Sequence, residues 1–279
     1  EASIQSLNRD DLVSFRDSWL RPDNARLVIV GATTAAEIQP LLEAALADWQ
    51  APATPMPTKQ LSDVPMTTSQ RVYVIDQPNA PQSTILAGHL APSAKVDNAD
   101  LIDVTNAILG GTFTSRVNMN LREDKGWSYG ARTIWQGWDH SGMFITMAPV
   151  QTDKTKESIE EIVKELTQYR ADNPATQDEL EKIQANKTAK LPGAYETKGA
   201  LLSAIVGTLN QDKDMEWLET YAQRVQAISV DDVRQTAQTL IHPDRLTGVI
   251  IGDAAKIVDE IRELNLGEVV MLDSDGQPL

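Results

Sequence analysis

SLNRDDLVSFRDSWLRPDNARLVIVG, residues 6–31, and AISVDDVRQTAQTLIHPDRLTGVIIG, residues 227–252, are one pattern written twice. Every landmark moves by 221 positions without a gap: Asp10-Asp11 onto Asp231-Asp232, Pro22-Asp23 onto Pro243-Asp244, Gly31 onto Gly252. In each copy apolar residues recur at helical spacing and a Pro-Asp turn stops the helix, because the residue ahead of a proline avoids the helical region. A β-branched run closing on glycine follows. A helix, turn and strand repeated in this way indicate a duplication. With the second copy running from 69 to 262, the same shift places about 150 residues of the first copy upstream of this chain. The expected organisation is the tail of a first half over 1–50, a linker over 51–68, a complete second half over 69–262 and a C-terminal tail over 263–279. The LVIV strand of the first copy is expected at the edge of an incomplete sheet, or paired with another chain.

The rest of the chain reads as alternating groups of strands and helices. TTAAEIQPLLEAALADW (33–49) is helical, capped by Thr33 or Thr34, with Pro40 as its weak point. APATPMPTKQLSDVP is a linker by its prolines. RVYVID (71–76) and STILAGHL (83–90) read as strands, and NADLIDVTNAIL (98–109) as a buried helix. WSYGARTIWQG and GMFITMAPV form an antiparallel pair around Trp138–Gly142. Helices follow: one with Ile159, Ile162, Val163 and Leu166 on one face and Glu157, Glu160, Glu161 and Lys164 towards water, then others near 177–190 and 198–209. This grouping predicts an α+β fold, a layered sheet with helices packed on one face.

Composition narrows the function. With 279 residues, 41% of them hydrophobic, the chain can bury a substantial core. A net charge of −15 opposes nucleic-acid binding, which relies on clustered Lys and Arg. No apolar run approaches the roughly 18 residues of a membrane helix, and the start EASIQ, without Met or leader, reads as a trimmed N-terminus. Zero cysteines remove disulfides, thiolate metal sites and a Cys nucleophile together. His89, His140 and His242 have no ligand partner at helical spacing, and each reads as structural. Neither a nucleophile elbow nor a phosphate loop is present.

The most compressed stretch is GGTFTSRVNMNLREDKGWSYG, residues 110–130. Phe113, Val117 and Leu121 predict a helical stripe, capped by Thr112 or Thr114 and stopped by Gly126, with Arg122 and Tyr129 on either side of the stop. On spacing alone Arg122 reads as a surface arginine paired with Glu123 or Asp124, and Tyr129 as a cross-strand tyrosine.

This segment resembles the signature of the second homologous half in the insulinase/pitrilysin family of zinc peptidases, and residues 9–31 resemble the end of that family's first half. The likeness covers nearly all of 5–262, in order and with the duplication. It implies a metalloprotease-like domain of which the first copy is truncated here. In such enzymes the first half carries His-x-x-Glu-His and a distal Glu, while the second supplies an Arg and a Tyr with six residues between them. Arg122 and Tyr129 match that spacing. The resemblance gives the Arg hydrogen bonds to peptide carbonyls and the Tyr a hold on the tetrahedral intermediate. At the places where the zinc motif would fall stand Ile102, Thr105 and Asn106, so no cofactor is expected in this chain. Zinc is expected in the missing first half or in a partner subunit. The implied function is the C-terminal, substrate-binding half of a zinc metalloendopeptidase, acting on a peptide substrate held as an added strand on a sheet edge. The alternative is a non-catalytic binding or structural subunit of a two-chain complex. By family analogy the compartment is the bacterial periplasm.

Overall fold

The computed structural model describes residues 2–279, which form two compact units. One runs to Asp63 and includes Gly193–Gly207; the other comprises Val64–Pro192 and Thr208–Leu279.

In the second unit the β-branched runs become six strands: β1 Arg71–Asp76, β2 Gln82–Ala91, β3 Arg132–Gly137, β4 Gly142–Gln151, β5 Thr247–Gly252 and β6 Glu268–Leu272. They make one mixed sheet in the order β3-β4-β2-β5-β1-β6, parallel across β5-β1-β6 and antiparallel elsewhere. Alternate side chains drive its formation: Val72, Val74, Ile85, Phe144 and Ile250 are buried on one face. The helices Ala99–Asn106, Thr155–Arg170, Gln177–Ala189, Val230–Leu240 and Ala254–Glu263 bury Ile102, Ile162, Leu166, Leu180, Val233 and Ile257 in the same core. Burial of this kind, about 25 cal/mol per Å² of apolar surface, is the main force holding the layers together. The α+β layered architecture anticipated from the sequence is the one observed.

The two repeat copies keep their shift of 221 in three dimensions. Helix Arg9–Trp19 matches Val230–Leu240, and the turn Pro22–Asn24 matches Pro243–Arg245. Even the capping boxes correspond, Asn8 with Asp11 and Ser229 with Asp232, each satisfying the otherwise orphaned amides of the first turn. The strand is where they part. In the second copy β5 lies inside the sheet, with β2 on one side and β1 on the other. Its counterpart, residues 26–30, runs extended with no ladder among the described residues, and Leu27 and Ile29 are exposed. The strand expected over this segment, at the edge of an incomplete sheet or paired with another chain, is thus not formed among the described residues. Gly252 sharpens the contrast. A Cβ there would lie 2.6 Å from the buried Ser83 hydroxyl, whereas one on Gly31 would meet nothing within 4 Å.

In the first unit, Ala35–Ala45 is a helix capped by Thr34 and Glu37, and it contains Pro40. The buried Arg21 guanidinium bonds both oxygens of Asp23, at 2.6 and 2.7 Å, holding that carboxyl below its usual range.

Other differences from the sequence reading are local. The helix expected over 98–109 is regular only to Asn106 and continues to Gly111 in wide turns that bond five residues apart. Beyond it the helix starts at Arg116, not at Thr112 or Thr114; Ser115 is its first cap residue and Phe113 is 60% exposed. Val117 and Leu121 alone remain of the expected stripe. Glu161, expected to face water, instead receives the Asn120 amide at 2.8 Å, which lowers its pKa.

The three histidines divide. His140 lies in the bend between β3 and β4. His89, 7% exposed on β2, directs Nδ1 to Leu90 O (2.8 Å), and its Nε2 accepts the backbone N–H of His242 (3.1 Å). Its ring stacks on Phe144 and meets His242 edge-on. Both ring nitrogens are engaged in the neutral form, so His89 is a structural fastener. Burial lowers the pKa of His89 and of His242, below the ordinary imidazole value of about 6.5. The unfolded chain then takes up protons near that pH while the folded chain does not, so stability is lost as pH falls through about 6.5 and regained above it. Each imidazole can contribute at most about 1.4 kcal/mol per pH unit. Thermal melts between about pH 7.5 and 6 should show a falling Tm, and His89→Phe should flatten the slope whatever it does to the baseline. A Tm indifferent to that interval in the parent protein contradicts this assignment.

Candidate functional site

The site grows from the helix that begins at Arg116 and the reversal that ends it. Arg116 anchors the start: its Nε and Nη2 each lie 2.6 Å from a Glu179 oxygen, and it also bonds the carbonyls of Asn173 and Pro174. Burial opposes the charge on Glu179, but the guanidinium and the Thr176 cap keep its carboxyl below the usual range. Arg116 also lies over the ring of Tyr169, whose hydroxyl donates to Thr105 O. At the far end the turns widen, with Lys125 N bonding Asn120 O and Trp127 N bonding Leu121 O. Gly126 then reverses the chain at φ +66°, a conformation that β-carbons disfavour.

Between these ends Asn118, 4% exposed, clips two segments together. Its Nδ2 donates to Phe113 O at 2.6 Å, and its Oδ1 accepts from Ala131 N at 3.0 Å. Phe113 and Ala131 flank an open cleft of about 450 Å³. Asn118 is thus a positioning residue that sequence reasoning missed. In the sequence it is only one of the polar residues alternating with Val117, Met119 and Leu121.

Arg122 lines this cleft, its guanidinium 4.5 Å from the centre of the Phe113 ring, with Nε 3.3 Å from Glu123 Oε1. The pairing with Glu123 read from spacing is present, on side chains that both remain more than a third exposed. Tyr129 stands on the return segment between Ser128, which is bridged to Val150, and Gly130, which lines the cleft. Its side chain is 87% exposed and projects into solvent. Tyr129 itself precedes β3, so the strand expected to begin at Trp127 starts at Arg132. The structure brings Arg122 and the backbone next to Tyr129 to one cleft, and leaves the phenol ring outside the cleft lining.

The positions implied for a zinc motif are occupied by packing. Ile102 is 2% exposed in the core, and Thr105 donates to Leu101 O. Asn106 exchanges two hydrogen bonds with Thr133, Nδ2 to the carbonyl at 3.2 Å and Oδ1 from the hydroxyl at 2.7 Å. None of the three offers a free metal ligand, and among the described residues no three His, Cys, Asp or Glu side chains are grouped to hold a metal ion. These residues do not fit zinc. Because β3 ends the sheet, the Asn106 amide also occupies the carbonyl that an added strand would use at Thr133.

Solved structures share this fold. A peptidase M16 inactive domain from Pseudomonas fluorescens superposes over 90% of this chain and 58% of its own, with TM-score 0.79 at 17% identity. A protease from Helicobacter pylori gives TM-score 0.80 at 21% identity over 89% of this chain and 60% of its own. The first half of the periplasmic protease PqqL from Escherichia coli gives 0.68 at 14% identity, over 94% and 60%. The chain therefore spans about three-fifths of the length of these relatives. No helix is long and apolar enough to cross a membrane among the described residues. No curated protein matches it in sequence. The family model described as the peptidase M16 inactive domain, however, matches residues 6–187, and with the duplicated unit and the zinc positions given over to packing, the chain belongs to the peptidase M16 inactive-domain family.

Proposed function

We propose that this chain is the peptide-binding, non-zinc half of an M16-type metallopeptidase, whose zinc site lies in a first half upstream or on a partner subunit. The observation that carries the reading is the division of labour within one unit. The zinc positions are spent on the core and on Thr133, while the following helix and reversal deliver Arg122 to an open cleft. Arg122 would donate to peptide carbonyls through its planar fork, and the Tyr129 hydroxyl would reach the tetrahedral intermediate once the zinc-bearing half closes over the cleft. Residues 1–50 then belong to the first half and 69–262 to the second, joined by the linker 51–68, and the segment expected as a tail over 263–279 adds β6 to the second half's sheet beside β1. By analogy with the similar periplasmic protease, the bacterial periplasm is proposed as the compartment.

The test is reconstitution. The chain purified alone should hold far less than stoichiometric zinc and should not cleave peptide; adding a zinc-bearing homologous half should produce cleavage that a chelator abolishes. Zinc-dependent cleavage by this chain alone would refute the proposal. Stable association with the zinc-bearing half but no cleavage of any peptide would favour the non-catalytic subunit instead.

A further inference from the structure

The cleft that holds Arg122 carries a second guanidinium. Arg132 opens β3 and lines the same cleft, together with Phe113, Met147 and Pro149. Arg122 and Arg132 are the charged residues of its lining. In a chain with 40 acidic and 25 basic residues, a recess whose fixed charges are both positive runs against the average surface. Arg122 is partly offset by Glu123. Arg132 is exposed, has no carboxylate within ion-pair distance among the described residues, and makes its nearest polar approach to Met147 Sδ, at 3.5 Å. It is held in place by register, opposite Met147 on β4, and by Asn118 clipping the preceding residue Ala131.

A planar cation that is positioned, unpaired and set among apolar side chains matches a carboxylate beside an apolar group, which a guanidinium binds through two parallel hydrogen bonds. We propose that Arg132 is a specificity-determining residue, making this cleft select peptide segments that carry a carboxylate next to an apolar side chain. The inference rests on the peptide-binding reading above and adds to it the substrate class. The carboxylate can come from an acidic side chain or from a peptide C-terminus. Phe113, Met147 and Pro149 in the same lining offer apolar contact to the neighbouring side chain.

The experiment is fluorescence anisotropy on the intact protein with three short labelled peptides of alanine and leucine. One has a central glutamine and an amidated C-terminus, the second a central glutamate with the same amide, the third the glutamine with a free terminal carboxylate. The glutamate peptide or the free-terminus peptide should bind about fivefold more tightly than the neutral one, the order for a charge-assisted bond at a partly exposed site. Which of the two does so identifies the source. Arg132→Gln should abolish the preference between the charged and the neutral peptides, and raised salt should shrink it. Equal affinity for all three peptides, or a preference that survives Arg132→Gln, overturns the role of Arg132 while leaving peptide binding intact. Binding of none of them overturns the peptide-binding reading, and this inference with it.

Discussion

Gly110→Ala should destabilise the second unit by about 3 kcal/mol, the upper part of the range for overpacking a filled interior. The reason is geometric. A Cβ at Gly110 would lie 2.3 Å from Thr133 Oγ1, 2.4 Å from Thr133 N and 2.8 Å from Thr133 Cβ. The hydroxyl could rotate, but the backbone nitrogen belongs to β3 and can move only with the strand. Relieving the clash pushes the Ala107–Gly111 turns off the sheet and stretches both Asn106–Thr133 bonds, each worth about 1 kcal/mol. For a domain of this size the loss corresponds to a Tm lower by about 6–12 °C. Gly207→Ala is the control. It lies inside the helix Lys198–Asn210, and its Cβ would meet nothing within 4 Å. That substitution should be neutral or stabilise by up to about 1 kcal/mol through helix propensity. Thermal melts that fail to separate the two variants would show that the close approach of the Gly110 turn to β3 is not a constraint.

The second large effect is on turnover in the proposed assembly with a zinc-bearing half. Tyr129→Phe removes one hydroxyl from a side chain that is 87% exposed, so folding should be untouched. If that hydroxyl bonds the developing oxyanion, kcat should fall by about 10–10³-fold with KM little changed, because the interaction exists only in the transition state. Arg122→Ala should behave differently. It removes donors that also bind the ground state, so KM should rise as kcat/KM falls at least about tenfold. Its loss of the Phe113 contact and the Glu123 pair should cost stability less than about 1 kcal/mol. Arg122→Lys should recover little, since a point charge lacks the planar fork. Turnover unchanged in both Tyr129→Phe and Arg122→Ala would return the pair to an exposed surface role.

Much of this was legible in the sequence because it rests on local chemistry. Runs rich in β-branched and apolar residues placed β1, β2 and β4 to within a residue, and the dipeptides Asp-Asp and Pro-Asp marked the two copies of the repeat. What escaped was set by tertiary contact. The apolar run ending at Gly111 reads as one helix, yet its last turns widen where Gly110 must approach β3. Phe113 looks like part of an apolar stripe, but it lies outside the helix, under the Arg122 guanidinium. Glu161 looks like part of a solvated charge run until Asn120 from another helix finds it. Asn118 illustrates the general limit. Its hydrogen bonds reach a carbonyl five residues back and an amide thirteen residues on, and no spacing rule connects those positions. At the cleft, the sequence pointed to Arg122 and Tyr129 as a pair, whereas Arg132 became visible only when β3 was seen to share the recess.

The exchange between Asn106 and Thr133 also bears on how such a half can change over evolutionary time. An amide in that place ties helix to strand through both of its heavy atoms. Placing a metal-binding imidazole there would surrender that tie before any ion arrived, since a lone ligand among Ile102 and Thr105 coordinates nothing. Each intermediate on the way to a working zinc site would be less stable than the starting protein and no more active. The packing around position 106 therefore works as a ratchet, opposing the entry of a metal ligand at that place.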